Sequence, residues 1–68
     1  MKYAVIIERG PSSFGATVPD LPGCVAAAET KTEVKRLIRE AIALQIEALR
    51  ESGEHLPEPS TSIERVEV

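Results

Sequence analysis

Only one segment of the sequence has helical periodicity, so a single helix must cover whatever sheet the rest of the chain forms. Apolar residues recur at spacings of three and four from Val34 to Leu49, a pattern typical of an amphipathic helix. Thr30 and Glu33 have the spacing of an N-terminal capping box, and Gly53 is a suitable C-terminal stop. The pattern predicts a helix over 31–52.

Short segments on both sides of this helix predict strands. Residues 2–8 are rich in β-branched and aromatic side chains, and 14–18 and 24–29 are short runs bounded by turn-forming residues. Glycine, proline and serine at 9–13 predict a hairpin between the first two strands. After a proline-containing connection, residues 63–68 predict a fourth strand, although their alternation is imperfect.

The order of these elements predicts one α+β domain over residues 1–68, with the order β-β-β-α-β. The first three strands would form an antiparallel meander with the helix on one face. A right-handed crossover would place the fourth strand parallel to the first, giving the spatial order 3-2-1-4. In this arrangement the first strand is central in the sheet.

One face of such a sheet has no cover within the chain. Ala4 and Ile6 point away from the side on which Tyr3, Val5 and Ile7 lie. An uncovered apolar face usually marks an interface, and so short a chain buries little surface alone. We therefore expect a homodimer or homotetramer with Ala4 and Ile6 on the oligomer face.

Composition excludes several classes of protein. A single cysteine cannot form an internal disulfide, and one cysteine with one histidine does not make the usual zinc site, so neither metal nor cofactor is expected. The 8 basic and 11 acidic residues argue against a nucleic-acid binder. No apolar run approaches the ~20 residues of a membrane span. Without a signal peptide, the lone Cys24 fits a reducing cytoplasm.

The stretch V-P-D-L-P-G-C at 18–24 contains the residues that most resemble a catalytic site. Pro22 and Gly23 suit the two central positions of a type II turn, and Pro19 ends the preceding strand. Asp20 is interpreted as a turn residue whose carboxylate binds local backbone amides, and Cys24 as a small apolar residue. We predict a structural corner with no catalytic residue, and no enzyme.

Several motifs together resemble the N-terminal domain of the HicB antitoxin family. The matching residues are Val18 to Cys24, Thr30, Glu33, Glu40-Ala41-Ile42, Gly53, Leu56-Pro57 and Pro59, together with "YAVIIE" at the start and the pair Phe14-Gly15. The resemblance implies that the fold is a partial RNase H-like sheet with one helix. It also implies that the chain is part of a prokaryotic toxin-antitoxin system. Because the chain ends at Val68, it implies a stand-alone copy without a DNA-binding domain, and no direct DNA binding is expected.

The family's best-known activity implies a specific partner. It predicts that the chain neutralises a HicA-type mRNA interferase, a small basic toxin, by covering its RNA-cleaving surface. Two alternatives stay open: an orphan oligomeric module with an unknown partner, and a metal-dependent nuclease derived from RNase H ancestry. The nuclease is disfavoured because such chemistry needs several converging carboxylates, whereas Asp20 is the only aspartate.

Charge is unevenly distributed along the sequence. Residues 40–68 have two basic and seven acidic side chains. A carboxylate-rich patch can attract a basic toxin, although it can equally be a solvated surface. The candidate partner-binding residues are Glu47, Glu51, Glu54, Glu58, Glu64 and Glu67. Four cations lie in the first half of the helix, and the sequence leaves their role open: Lys31, Lys35, Arg36 and Arg39.

Overall fold

The computed structural model describes all 68 residues and contains three strands and one helix. Strand β1 spans Ile6–Arg9, β2 spans Phe14–Thr17, β3 spans Val25–Ala28, and helix α1 spans Lys31–Glu51. The strands form an antiparallel sheet in the order β1-β2-β3. The predicted α+β class, meander and helix are confirmed, with strands of four residues each.

The corner between β2 and β3 is made of two consecutive turns. The Leu21 N–H donates to the Val18 carbonyl at 3.1 Å, and the Cys24 N–H donates to the Leu21 carbonyl at 3.0 Å. Gly23 has a φ of +81°, a value that residues other than glycine rarely adopt. The predicted turn at residues 21–24 is therefore confirmed.

The helix begins with only half of the predicted capping box. The Thr30 hydroxyl accepts a hydrogen bond from the Glu33 N–H at 3.1 Å, as expected for an N-cap. The Glu33 carboxylate does not return to the Thr30 N–H. It pairs instead with the Arg36 guanidinium one turn further along, because a charged partner binds it more strongly than a neutral amide.

The helix ends in a Schellman motif around Gly53, which has a φ of +75°. The Gly53 N–H donates to the Arg50 carbonyl at 3.2 Å, and the Glu54 N–H donates to the Leu49 carbonyl at 3.0 Å. These bonds satisfy two of the carbonyls that the helix end leaves free. The predicted stop at Gly53 is confirmed.

The core lies between the sheet and the first half of α1, and the corner at 18–24 contributes half of it. Its six buried residues are Ala16, Val18, Leu21, Cys24, Val34 and Ile38. Tyr3, Val5 and Ile7 pack against this core from one side of the first segment, as predicted. Burial raises the pKa of the Cys24 thiol, so the side chain is a small apolar residue, as expected.

The predicted fourth strand is not formed. Residues 63–68 adopt no regular secondary structure, and all of them are exposed. Ile63 lies at an odd position and Val66 and Val68 at even positions, so one face of a strand here would bury only some of these apolar side chains. As a result β1 is an edge strand, and β2 is the central one.

The side of the sheet opposite α1 has no cover in the structure. Ile6, Thr17 and Val25 lie in register across this outer face, where Ile6 is 42% exposed and Val25 is 62% exposed. Ala4 precedes β1 and is half-buried. The structure therefore places Ile6, one of the two predicted oligomer-face residues, on an open surface.

Candidate partner-binding surfaces

Asp20 fastens the C-terminal segment to the corner between β2 and β3. Its Oδ2 accepts hydrogen bonds from the backbone N–H groups of Ser60 and Thr61, both at 3.1 Å. Its Oδ1 accepts from the Ser60 hydroxyl at 3.0 Å and the Thr61 hydroxyl at 2.9 Å. We call this arrangement of Asp20, Ser60 and Thr61 the aspartate latch.

The latch corrects the sequence-based interpretation of Asp20. Its carboxylate was expected to bind local amides, but its partners lie 40 and 41 residues further along the chain. The hydrogen bond from the Thr61 N–H, aided by the other three, lowers the pKa of Asp20 below its usual value. Both carboxylate oxygens are therefore engaged by the chain itself, which gives Asp20 a structural role.

A groove follows the free edge of β1. A cavity of about 550 Å³ is lined by Val5, Ile6 and Ile7 on one side and by residues 61–65 on the other. Successive residues of an extended segment point to opposite faces, so a cavity that contacts Val5, just before β1, as well as Ile6 and Ile7 lies at the edge of the sheet. A second cavity of about 620 Å³ shares Val5, Ile7 and Lys35 and continues toward Ile42. We call the two together the edge groove.

Three of the four helix cations line this groove. Lys31 and Lys35 line its first cavity, and Lys35 and Arg39 line the second. None of the three forms a salt bridge. The three residues are spaced four apart, which places them along one stripe of α1.

Arg36, the fourth helix cation, has a different environment. It pairs with Glu33 and, at 2.7 Å, with Glu40, and hydrogen bonding to Glu33 raises the Arg36 pKa. The structure thus separates one neutralised cation from three free ones that face the edge groove.

The six candidate carboxylates are all exposed, and none forms a salt bridge. They lie in three parts of the chain. Glu47 and Glu51 lie one turn apart near the end of α1, and Glu54 and Glu58 follow in the exit segment. Glu64 lines the first cavity of the edge groove, as do Lys31, Lys35 and Arg65. Glu67 follows in the exposed tail.

The structure brings together no group of three or more histidine, cysteine, aspartate or glutamate side chains with the geometry of a metal site. In addition, α1 lacks the length of apolar sequence that a bilayer-crossing helix requires.

Sequence reasoning missed two features of these surfaces. The latch donors Ser60 and Thr61 were read only as part of a connection, although consecutive hydroxyl residues after Pro59 offer four donors in a short stretch. The edge groove was missed because a paired fourth strand would have filled it. The signal for it was the spacing of Lys31, Lys35 and Arg39 along one stripe of the helix.

A comparison with protein families matches almost the entire chain. The model of the HicB-like antitoxin of bacterial toxin-antitoxin systems matches residues 3–67. Among solved structures, one chain of a HicA3 and HicB3 toxin-antitoxin complex is 33% identical with a TM-score of 0.72. That match covers 88% of this chain and 70% of the other.

Similar sequences occur in a virus and in archaea. An uncharacterised 14.9 kDa protein of Haemophilus phage HP1 is 39% identical over 57 residues, which span 84% of this chain but only 43% of the phage protein. A UPF0150 protein of Thermoplasma acidophilum is 41% identical over 58 residues, 84% of each chain. Another UPF0150 protein, from Archaeoglobus fulgidus, is 36% identical over 59 residues, 82% of this chain and 86% of its own.

Proposed function

The chain belongs to the HicB-like antitoxin family of bacterial toxin-antitoxin systems, and we propose that it neutralises a HicA-type toxin by covering the toxin's RNA-cleaving surface. The likeness to a chain of the HicA3 and HicB3 complex is the observation that carries this proposal. The action is binding without catalysis, since the one aspartate is engaged in the latch. The site of action is the reducing cytoplasm, where mRNA is cleaved.

The contact surface we propose is the acidic end of the helix and the exit segment. Four exposed carboxylates lie along it: Glu47, Glu51, Glu54 and Glu58. None of them forms a salt bridge, since the salt bridges of the chain involve Glu33 and Glu40. Unpaired surface carboxylates attract a basic protein and speed its association, and a toxin that binds RNA phosphates presents matching cations. Glu64 and Glu67 lie apart from this surface, in the C-terminal segment.

Co-expression tests the proposal directly. Growth should recover when a HicA-type toxin encoded beside this chain is expressed with it, and the two proteins should copurify. Changing Glu47→Gln and Glu51→Gln together should slow association by roughly tenfold at low salt, with less effect at high salt. Stopped-flow binding at two salt concentrations measures this effect.

The matched control changes Glu8→Gln and Glu29→Gln, two exposed carboxylates outside the proposed surface. Equal slowing by both pairs would mean that net charge, and no particular surface, attracts the toxin. Absence of both rescue and a complex would contradict the antitoxin proposal.

The open outer face supports a second candidate function, an oligomeric interaction module. Ile6 and Val25 expose apolar surface on a sheet that α1 covers on one side only. We propose that Ala4 and Ile6 contribute to a self-association surface there.

Changing Ile6→Lys should abolish association through the outer face, because a buried unpaired ammonium is costly. Light scattering at micromolar concentration measures the mass against the 7.4 kDa of one chain. Thr17→Lys places the same charge beside Ile6 on that face and should act in the same way, whereas Ser12→Lys in the hairpin turn should have no effect. An unchanged mass in the Thr17 variant would exclude this face, because Ile6 also lines the edge groove whereas Thr17 does not.

A further inference from the structure

We propose that the edge groove is a docking site for residues 63–68 of a second copy of this chain, so that two copies exchange their C-terminal segments reciprocally. The partner segment would add to β1 as a fourth strand. The interface is distinct from the proposed toxin-binding carboxylates, and it meets the outer face only at Ile6, which also lines the first cavity. No toxin takes part in it.

One edge of β1 is unpaired. β1 pairs only with β2, so the backbone N–H and C=O groups on its other side have no strand partner. Small proteins usually blunt such an edge or pair it, because it is a template for strand addition. Here the edge borders an apolar groove that includes Val5, Ile7, Ile38 and Ile42.

The segment that would fill the groove is itself free. Residues 63–68 are unpaired, with Ile63 59% exposed and Val66 79% exposed. Within one chain the aspartate latch holds Ser60 and Thr61, and the next residues stand across the cavity from β1 without closing it. The chain therefore presents both an empty strand site and an unused strand.

The charges of groove and segment are complementary. Lys31, Lys35 and Arg39 line the groove without salt-bridge partners, whereas the segment is acidic on balance, with Glu64 and Glu67 against one cation, Arg65. Opposite charges on groove and segment select this occupant over a basic one. A basic toxin would meet like charge in this groove, which separates the two interfaces.

The geometry also explains why a second copy suits the groove. The segment leaves the molecule beside the same edge that it would fill, so two copies placed edge to edge can each donate a segment to the other. Such an exchange is two-fold symmetric and closed, and it forms a dimer without leaving a free site. It also joins two three-stranded sheets and their small cores into one larger unit.

A charge-swap experiment on the full-length chain tests the proposal. One variant changes Lys31→Glu and Lys35→Glu in the groove, and the other changes Glu64→Lys and Glu67→Lys in the segment. Each variant alone repels its own kind at the groove and should have about half the wild-type mass by light scattering. A one-to-one mixture restores opposite charges at both contacts and should return to the wild-type mass, with the two variants present in equal amounts.

The design separates exchange from its alternatives. If each segment closed onto its own β1, the charge changes would leave the mass of each variant at the wild-type value, and that result overturns the proposal. Failure of the mixture to raise the mass above that of the single variants would also overturn it. Glutamates near a helix N-terminus favour the helix, so circular dichroism should show the groove variant folded. The control Glu47→Lys with Glu51→Lys reverses two charges elsewhere and should leave the dimer intact.

Discussion

Replacing Leu21 with alanine should destabilise the protein by about 2–5 kcal/mol, the usual cost of truncating a buried leucine. Leu21 is fully buried and is one of only six core residues. A chain of this size has a total stability of only about 3–10 kcal/mol, so the variant should be partly or largely unfolded at 25 °C. Urea unfolding followed by circular dichroism, at one fixed protein concentration, measures the change.

Leu44→Ala is the matched control for this prediction. Leu44 lies on the same helix that covers the core but is 68% exposed, so its truncation should change stability by less than about 0.5 kcal/mol. Similar losses for the two variants would mean that the corner at 18–24 does not carry the core. This comparison also tests the structural reading of the V-P-D-L-P-G-C stretch.

The local parts of this fold were predictable because their causes are local. The turn at 21–24 needs a proline followed by a glycine with positive φ, and both are adjacent in the sequence. The helix start at Thr30 and the stop at Gly53 follow from the same kind of short-range hydrogen bonding. Periodicity then identified the core face of the helix, on which Val34 and Ile38 are buried.

The parts that failed depend on competition between distant segments. The fourth strand was expected from the composition of 63–68, but its apolar residues alternate poorly and β1 remains unpaired. The Glu33 carboxylate binds the Arg36 guanidinium instead of the Thr30 N–H, and the spacing of the residues alone does not predict which of the two partners it binds. The latch joins residues about 40 positions apart, and no local pattern indicates such a pair.

The charged surfaces were also predictable only in part. The sequence alone shows the acidic residues near the end of α1 and the cations at its start. Which cations are free became visible only when Arg36 was found paired and Lys31, Lys35 and Arg39 were found along the edge groove. Charge along a sequence thus indicates a partner's sign, whereas the fold decides which charges remain available.

Changing Asp20→Ala should release the C-terminal segment while leaving the core folded. The substitution removes the acceptor of all four hydrogen bonds from Ser60 and Thr61, and Asp20 is not a core residue. The backbone amides of these two residues should lose their protection from hydrogen exchange and exchange at rates close to those of an unfolded peptide. Amides of β2 should stay protected, which NMR can measure in the same sample.

Asp20→Asn sharpens this test because the amide can rebuild the same contacts without charge. Its oxygen can accept from the two backbone N–H groups while its NH₂ donates to the two hydroxyls, so partial protection should remain. In the wild type the lowered pKa of Asp20 means that the latch stabilises the fold fully above about pH 4, the usual aspartate pKa. That contribution is lost as pH falls through the lower pKa of the folded protein. The amide shifts of Ser60 and Thr61 should therefore titrate in acid in the wild type but not in Asp20→Asn, and identical titration of the two proteins would refute the latch.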